Sequence, residues 1–348
     1  MQIACGPIAL LGSGETSLAG GRVFETIARG FPHPLRIAIL ETPAGFELNS
    51  QKVAGRVGDF MLERLQNFTP RIDIVPARRL GTPCSPDNPE ILQPLLSADI
   101  IFMGAGSPTY AVRHLKGSLA WDLVRARHRL GAALVFASAA VIAVSAFSLP
   151  VYEIYKVGED VNLVPGLDLF ADLSLPLSFI PHWNNTDGGD DVDTSRCFIG
   201  LERFGNWCDL LPSGHTTVGL DEHTGIVIDF AGGICKVSGV SSVTLLRACN
   251  PMIFPAGAEF PISKLGKLRL PENPETGISA RAWEMIKNAA LSGIPEEATD
   301  EVAHLVEARQ QARFRQDWAN ADILRQKIAT LGWLVQDTPE GQIIIRQP

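Results

Sequence analysis

Three short segments of this chain carry side chains and turns that acyl chemistry needs. In Leu134-Val135-Phe136-Ala137-Ser138-Ala139-Ala140 an apolar run ends in a serine flanked by alanines and continues into a helix. A serine on a sharp strand-to-helix turn exposes its hydroxyl at a helix N-terminus, as in a nucleophile elbow. The plain alternative is a small side chain packed where strand meets helix, and the missing glycines of Gly-x-Ser-x-Gly favour it. Phe102-Met103-Gly104-Ala105-Gly106-Ser107-Pro108-Thr109-Tyr110 reads as a strand and a glycine turn. At the carboxyl edge of a parallel sheet such a turn presents backbone N–H groups to an oxyanion, or simply feeds the next helix. Phe179-Ile180-Pro181-His182-Trp183 sets a histidine just after a strand. A lone histidine is usually structural until a partner is found. Glu153 is a carboxylate that can orient it, although alone it reads as a surface group.

Other patterns carry less. Leu11-Gly12-Ser13-Gly14-Glu15-Thr16 imitates a dinucleotide loop but lacks its third glycine. Asp187, Asp190, Asp191 and Asp193 miss the spacing of a Ca²⁺ loop and its closing glutamate, so they read as a solvated loop. His215 and His223 have no cysteine or paired-histidine spacing, and neither a metal nor a cofactor is expected.

The elements that must hold these residues follow from short apolar runs. Ile8 to Leu11, Leu35 to Leu40, Ile72 to Val75, Ile100 to Met103 and Ala132 to Phe136 do not alternate with polar residues, the signature of a parallel sheet covered on both faces. Helical segments such as Lys52 to Leu65 and Ala111 to Arg129 lie between them, which predicts a doubly wound α/β domain. Leu177 to Ile180, Thr216 to Leu220, Gly225 to Phe230 and Ile234 to Val237 are closely spaced strands, expected to extend the sheet as an antiparallel meander with a hairpin turn at 221–225. The Pro-rich stretch from Pro255 to Pro274 reads as a linker. Beyond it, helices are predicted at Ala280 to Leu291, through Val302, Leu305 and Val306, and through Ile323, Leu324 and Ile328. Gly332 is placed as a C-cap before a closing hairpin, Trp333 to Gln336 and Gln342 to Arg346.

Composition bounds the class. The 348 residues are 46% hydrophobic and 20% charged, the balance of a globular protein of about two domains. A net charge of -8 excludes the whole molecule as an electrostatic binder of nucleic acid or anionic membrane, local patches aside. The stretch Ala132 to Leu149 is a poor membrane span, and Met1 to Gly6 lacks the basic start of a secretory signal. The six cysteines form no CxxC pair and are expected to be reduced. A cytoplasmic location is the expectation.

Taken together, the first 250 or so residues resemble the S51 family of serine peptidases, which includes dipeptidase E and cyanophycinase. The order matches: Gly12-Ser13-Gly14-Glu15 after the first strand, the Gly104-Ala105-Gly106 turn, the Ser138-Ala139 elbow and a later histidine. The run Gly219-Leu220-Asp221-Glu222-His223-Thr224-Gly225 resembles the Gly-Ile-Asp-Glu-Asp-Thr run of cyanophycinases and is the most specific match. The resemblance implies a flavodoxin-like α/β fold related to class I glutamine amidotransferases. It implies Ser138 as nucleophile, His182 as base, Glu153 as acidic third member, oxyanion N–H groups from Gly106 and Ala139, and Arg196 near the substrate. Phe136 and Ala140 stand where the family writes glycine. An active hydrolase of a small peptide or amide and a silent ligand-binding relative therefore both stay open.

Glu307 to Arg313, Asp317 to Arg325, Leu331-Gly332-Trp333 and Asp337-Thr338-Pro339-Glu340-Gly341 are similar to the end of cysteinyl-tRNA synthetases. This resemblance implies a tRNA-binding type of domain, with Arg309, Arg313 and Arg325 as candidate phosphate contacts. The alternative is a solvated helical face paired with Asp317 and Asp322. The expected division is 1–257, a linker at 258–275, and a small helical domain at 276–348. A third reading is an RNA-associated adaptor, and a second copy of the chain is held open as a partner.

Overall fold

The computed structural model describes residues 3–247, 250–292, 300–338 and 341–346. The chain divides into two compact units, 1–286 and 287–348. In the first, strands β1 (Ile8–Leu11), β2 (Arg36–Leu40), β3 (Arg71–Val75), β4 (Ile100–Met103) and β5 (Ala133–Ala137) pair in parallel in the order β3-β2-β4-β5-β1. Every residue of β1, β4 and β5 is buried, which is why these strands read as unbroken apolar runs. Edge strand β3 alternates instead. Helices α1 (Leu18–Ala28) and α2 (Ser50–Arg64) bury Val23, Phe24, Ile27 and Met61 against one face of this sheet.

The predicted helical stretch at 111–129 is two helices, α3 (Pro108–Leu115) and α4 (Leu119–Arg129). Gly117 has φ +75°, and the Ser118 hydroxyl then accepts the Trp121 N–H at 3.3 Å as an N-cap. After α5 (Ala139–Ala143) come a short ribbon of β6 (Phe147–Ser148) and β7 (Val164–Pro165), then β8 (Leu177–Ile180) and α6 (Gly200–Leu210).

The later strands depart from a single meander. β9 (Thr216–Leu220), β12 (Ser242–Arg247) and β13 (Asn250–Pro255) join β8 in a separate four-stranded sheet, with β8 and β9 parallel. Only β10 (Thr224–Asp229), β11 (Ile234–Gly239) and β14 (Glu259–Pro261) extend the main sheet, antiparallel beside β1. Residues 221–223 are therefore a corner at which the chain passes from one sheet to the other. Strand patterning shows which residues are extended and is silent on which neighbour they pair with.

Residues 258–275, expected as a linker, are packed on the first unit. β14 closes the sheet edge, Phe260 stacks on Phe254 at 4.0 Å between centroids, and Ile262 and Leu265 are buried. Arg129 donates to the carbonyls of Pro274 and Thr276 at 2.7 and 2.6 Å, and Arg125 to that of Gly277 at 2.7 Å. Proline removes donors and hides periodicity, but its neighbours' carbonyls still find partners.

Both arginines share Asp172, at 2.6 Å from Arg125 and 3.0 Å from Arg129. The Arg129 side chain is only 3% exposed. Asp172→Ala is expected to cost about 3 kcal/mol of stability by stranding these cations, read from urea unfolding. An unchanged unfolding midpoint would show that the carbonyl contacts suffice alone.

The second unit comprises the C-terminal end of α7 (Ala280–Ser292), then α8 (Asp300–Phe314), α9 (Trp318–Thr330) and the hairpin of β15 (Trp333–Thr338) with β16 (Gly341–Arg346). Val302, Ile328, Trp333 and Val335 form its core. Gly332, at φ +83°, follows α9 as expected of a C-terminal glycine. Ile323, expected in the apolar stripe, is 52% exposed, and Ala321 lies buried near Leu324 in its stead.

Candidate active site

The backbone of β5 is paired with β1 up to Ala137, and the Ser138 N–H continues that register to the Leu11 carbonyl at 3.1 Å. Two residues later the Ala140 N–H reaches across to the Gly104 carbonyl at 3.2 Å. To satisfy both, Ser138 adopts φ 52° and ψ -117°, a region costly for any residue with a Cβ. The strained serine thus lies at the carboxyl edge of the parallel strands, although neither flanking position is glycine. Phe136 is wholly buried in β5.

His182 follows β8 and is also left-handed, at φ 49°. Its N–H reaches the Gly12 carbonyl at 3.3 Å, and the next N–H, of Trp183, reaches Leu220 at 3.0 Å. The ring is held on both nitrogens. Nε2 is 3.0 Å from the Ser138 hydroxyl, and Nδ1 is 3.0 Å from Oε1 of Glu222. The third group beside the histidine is therefore Glu222 on the 221–223 corner.

Glu153, expected there, is elsewhere. It opens a π-helical turn, Glu153–Val157, and accepts a 2.7 Å hydrogen bond from the Thr109 hydroxyl. The spacing of Glu153 from Ser138 is compatible with a third member, yet its carboxylate is bonded to Thr109 in the first turn of α3. Glu222 was present in the most specific motif of the sequence, 219–225. Reading that run as a hairpin hid its role, because a hairpin tip faces solvent.

The corner is firmly held. Asp221 accepts from the hydroxyls of Ser241 and Ser242 at 2.6 and 2.7 Å, the Glu222 N–H donates to Asn184 at 2.8 Å, and the His223 N–H to Ser13 at 3.0 Å. A Cβ on Gly12 would collide with the carbonyls of Asp221 and Leu220. The Gly12-Ser13-Gly14 turn thus lets the end of β1 approach the corner that carries Glu222.

A cavity of about 340 Å³ opens beside Ser138, lined also by Gly106, Ala139 and His182. Gly106 has φ +143°, and a Cβ there would meet the Pro43 carbonyl, so the turn requires glycine. Arg196, expected near substrate, is not among the lining residues. Its guanidinium lies 3.9 Å from the Trp183 ring centroid and donates to the Trp183 carbonyl at 2.9 Å. Asp193 caps α6 by accepting the Leu201 N–H at 2.8 Å. Among the described residues no cluster of three His, Cys, Asp or Glu side chains is placed to hold a metal ion. Cys5, Cys84, Cys197 and Cys235 are free thiols.

In the second unit Arg309 faces inward. Its side chain is 2% exposed and forms a two-pronged pair with Asp337 at 2.9 and 3.0 Å. Arg313 shares that carboxylate at 2.9 Å. Arg309 is therefore a structural residue of the α8–β15 contact and not a phosphate contact. The guanidinium of Arg309 pulls the Asp337 carboxyl below its ordinary range. Arg325 is exposed, as a phosphate contact requires.

Comparison with known proteins divides in the same way. A solved peptidase from an acI-B1 Actinobacterium superposes with a TM-score of 0.59 at 19% identity, covering 74% of this chain and 97% of that one. The first unit has that peptidase's fold. Residues 296–344 match the family described as the cysteinyl-tRNA ligase anticodon binding domain. Cysteine–tRNA ligase of Methanosarcina acetivorans is 52% identical over 46 residues, and that of Burkholderia lata 38% over 66 residues. The matches span 10% and 12% of those ligases' own lengths. No helix among the described residues is long and apolar enough to cross a membrane.

Burial acts to raise the Glu222 carboxyl, but hydrogen bonds from Asn185 and His182 outweigh it and hold the group below its ordinary value. A depressed carboxyl stabilises the fold above its unfolded pKa, and that contribution fades as pH falls through the folded value. Glu222→Gln is expected to melt below the wild type at about pH 7, with the gap closing toward about pH 3. A gap independent of pH, followed by scanning calorimetry, would contradict this.

Proposed function

We propose that the first unit is a serine-type hydrolase of a small peptide or amide, with Ser138 as nucleophile, His182 as base and Glu222 as the group that orients the base. The observation that carries this reading is the histidine held at 3.0 Å on one side by the strained serine and at 3.0 Å on the other by a carboxylate. A neutral serine becomes nucleophilic when a neighbouring base takes its proton. His182 Nε2 removes the hydroxyl proton as Oγ bonds to the substrate carbonyl carbon. The carbonyl π electrons move to its oxygen, which the N–H groups of Gly106 and Ala139 stabilise. Collapse expels the amine, which takes the proton from His182 and leaves an ester on Ser138. A water then gives its proton to His182 and attacks that ester, releasing the acid as the proton returns to Ser138.

Through these steps Glu222 keeps Nδ1–H engaged, so Nε2 is the free acceptor, and it stabilises the transient imidazolium. The cavity is at the small end of ligand pockets, which suits a dipeptide-sized substrate rather than a folded protein. A fluorophosphonate probe should label the wild type, not Ser138→Ala, and label Glu222→Ala about a hundredfold or more slowly. Glu153→Ala should still label readily. Equal labelling of Ser138→Ala would sink the assignment, and loss in Glu153→Ala with retention in Glu222→Ala would reverse the two carboxylates.

The match at 296–344 favours a second, separate role, contact with tRNA through the C-terminal unit. With Arg309 committed to Asp337, Arg315, Arg325 and Lys327 are exposed cations able to meet phosphates. Arg325→Ala in the full chain is expected to weaken tRNA binding and lower the salt slope by about one, measured by filter binding at several salt concentrations. Salt-independent binding would argue against a phosphate contact there.

A further inference from the structure

The cavity beside Ser138 has walls of a definite character. Ile142 and Val151 are 2% and 4% exposed and face the cavity. Two half-buried aromatic rings, Tyr155 and Phe198, 5.7 Å apart between centroids, line it as well. Phe198 also lies 5.6 Å from the His182 ring, so this aromatic wall adjoins the base itself. It is not a casual surface contact. Phe198 is held at φ 71°, after Arg196 at φ 57° and Cys197 at φ 59°, and its N–H donates to the Thr194 carbonyl at 2.9 Å. Three successive left-handed residues with side chains persist only where the surroundings overdetermine them.

The charges are placed just as distinctly. Arg196 is drawn away onto Trp183. The cation lining the cavity is Lys156, which is exposed and has its ammonium 4.8 Å from the Tyr155 ring centroid. Its exposed side chain keeps the charge in water while lying against that ring, as an amphipathic side chain does at a boundary. Asp187 also lines the cavity and disfavours a second carboxylate. An acidic side chain would have to give up water with no buried cation to receive it. An apolar one gains from the same transfer.

We infer that this cavity selects a substrate with an apolar, preferably aromatic, side chain on the residue that supplies the scissile carbonyl, with Tyr155 and Phe198 as its specificity-determining residues. The inference rests on the hydrolase reading for the position of that carbonyl. It goes further in disfavouring an acidic side chain in the pocket.

The test separates the two ideas by measuring binding without turnover. In the full chain carrying Ser138→Ala, calorimetry with Phe-Gly, Asp-Gly and Arg-Gly is expected to give Phe-Gly an affinity at least about tenfold higher than either other dipeptide. Adding Tyr155→Ala should abolish that preference, whereas Tyr155→Phe should keep it. Asp-Gly or Arg-Gly binding as tightly as Phe-Gly would overturn the inference. So would absence of binding by all three, or a preference that survives both Tyr155→Ala and Phe198→Ala. An acidic preference removed by Lys156→Met would also overturn it and reassign the pocket to a carboxylate. Fluorophosphonate labelling of the wild type is read separately. Labelling without an apolar preference defeats only the specificity, and an apolar preference without labelling defeats only the hydrolase reading.

Discussion

A histidine ring offers two nitrogens on opposite edges, and the first unit is arranged so that both are occupied. The Ser138 hydroxyl comes from the end of β5 in the main sheet, His182 from the end of β8 in the second sheet, and Glu222 from the corner between β9 and β10. Three backbone segments from two sheets must meet within hydrogen-bonding distance of a single imidazole. Part of the unusual backbone in the unit serves that convergence. Ser138 and His182 are left-handed, Gly12 allows β1 to touch the corner, and Asp221 ties the corner to Ser241 and Ser242.

The strain at Ser138 has a local physical cause. Its N–H completes the β1–β5 ladder while the Ala140 N–H is already committed to Gly104. Glycine at the neighbouring positions eases such a turn but does not create it. What creates it is the pair of hydrogen bonds to two different neighbouring segments. Phe136 is accommodated because it precedes the turn, inside the strand, where a large buried side chain contributes to the core. Phenylalanine at 136 thus fills the core below the elbow while Ser138 still adopts its positive φ.

The two units hold their charges for different ends. In the first, Asp172 gathers Arg125 and Arg129, which in turn bind carbonyls of an irregular proline-rich segment and fasten it down. In the second, Asp337 gathers Arg309 and Arg313 and joins α8 to the hairpin. A basic helix read from sequence looks like a surface for phosphates. Pairing decides which of its arginines remain for that purpose, and here Arg309 does not.

Sequence alone determined the parallel strands, their burial, the serine at the end of β5, the histidine after β8 and the C-terminal domain. Each is written in a contiguous run whose period or motif is local. Tertiary structure alone decided that Glu222 and not Glu153 faces the histidine, that residues 258–275 are packed, and that β9 and β10 belong to different sheets. It also decided that Arg196 lies on Trp183 and outside the cavity. Each of these depends on which of several chemically suitable partners is nearest in space. A carboxylate or guanidinium has the same chemistry wherever it stands in a chain, so its partner is set by long-range strand pairing, which local patterning does not encode.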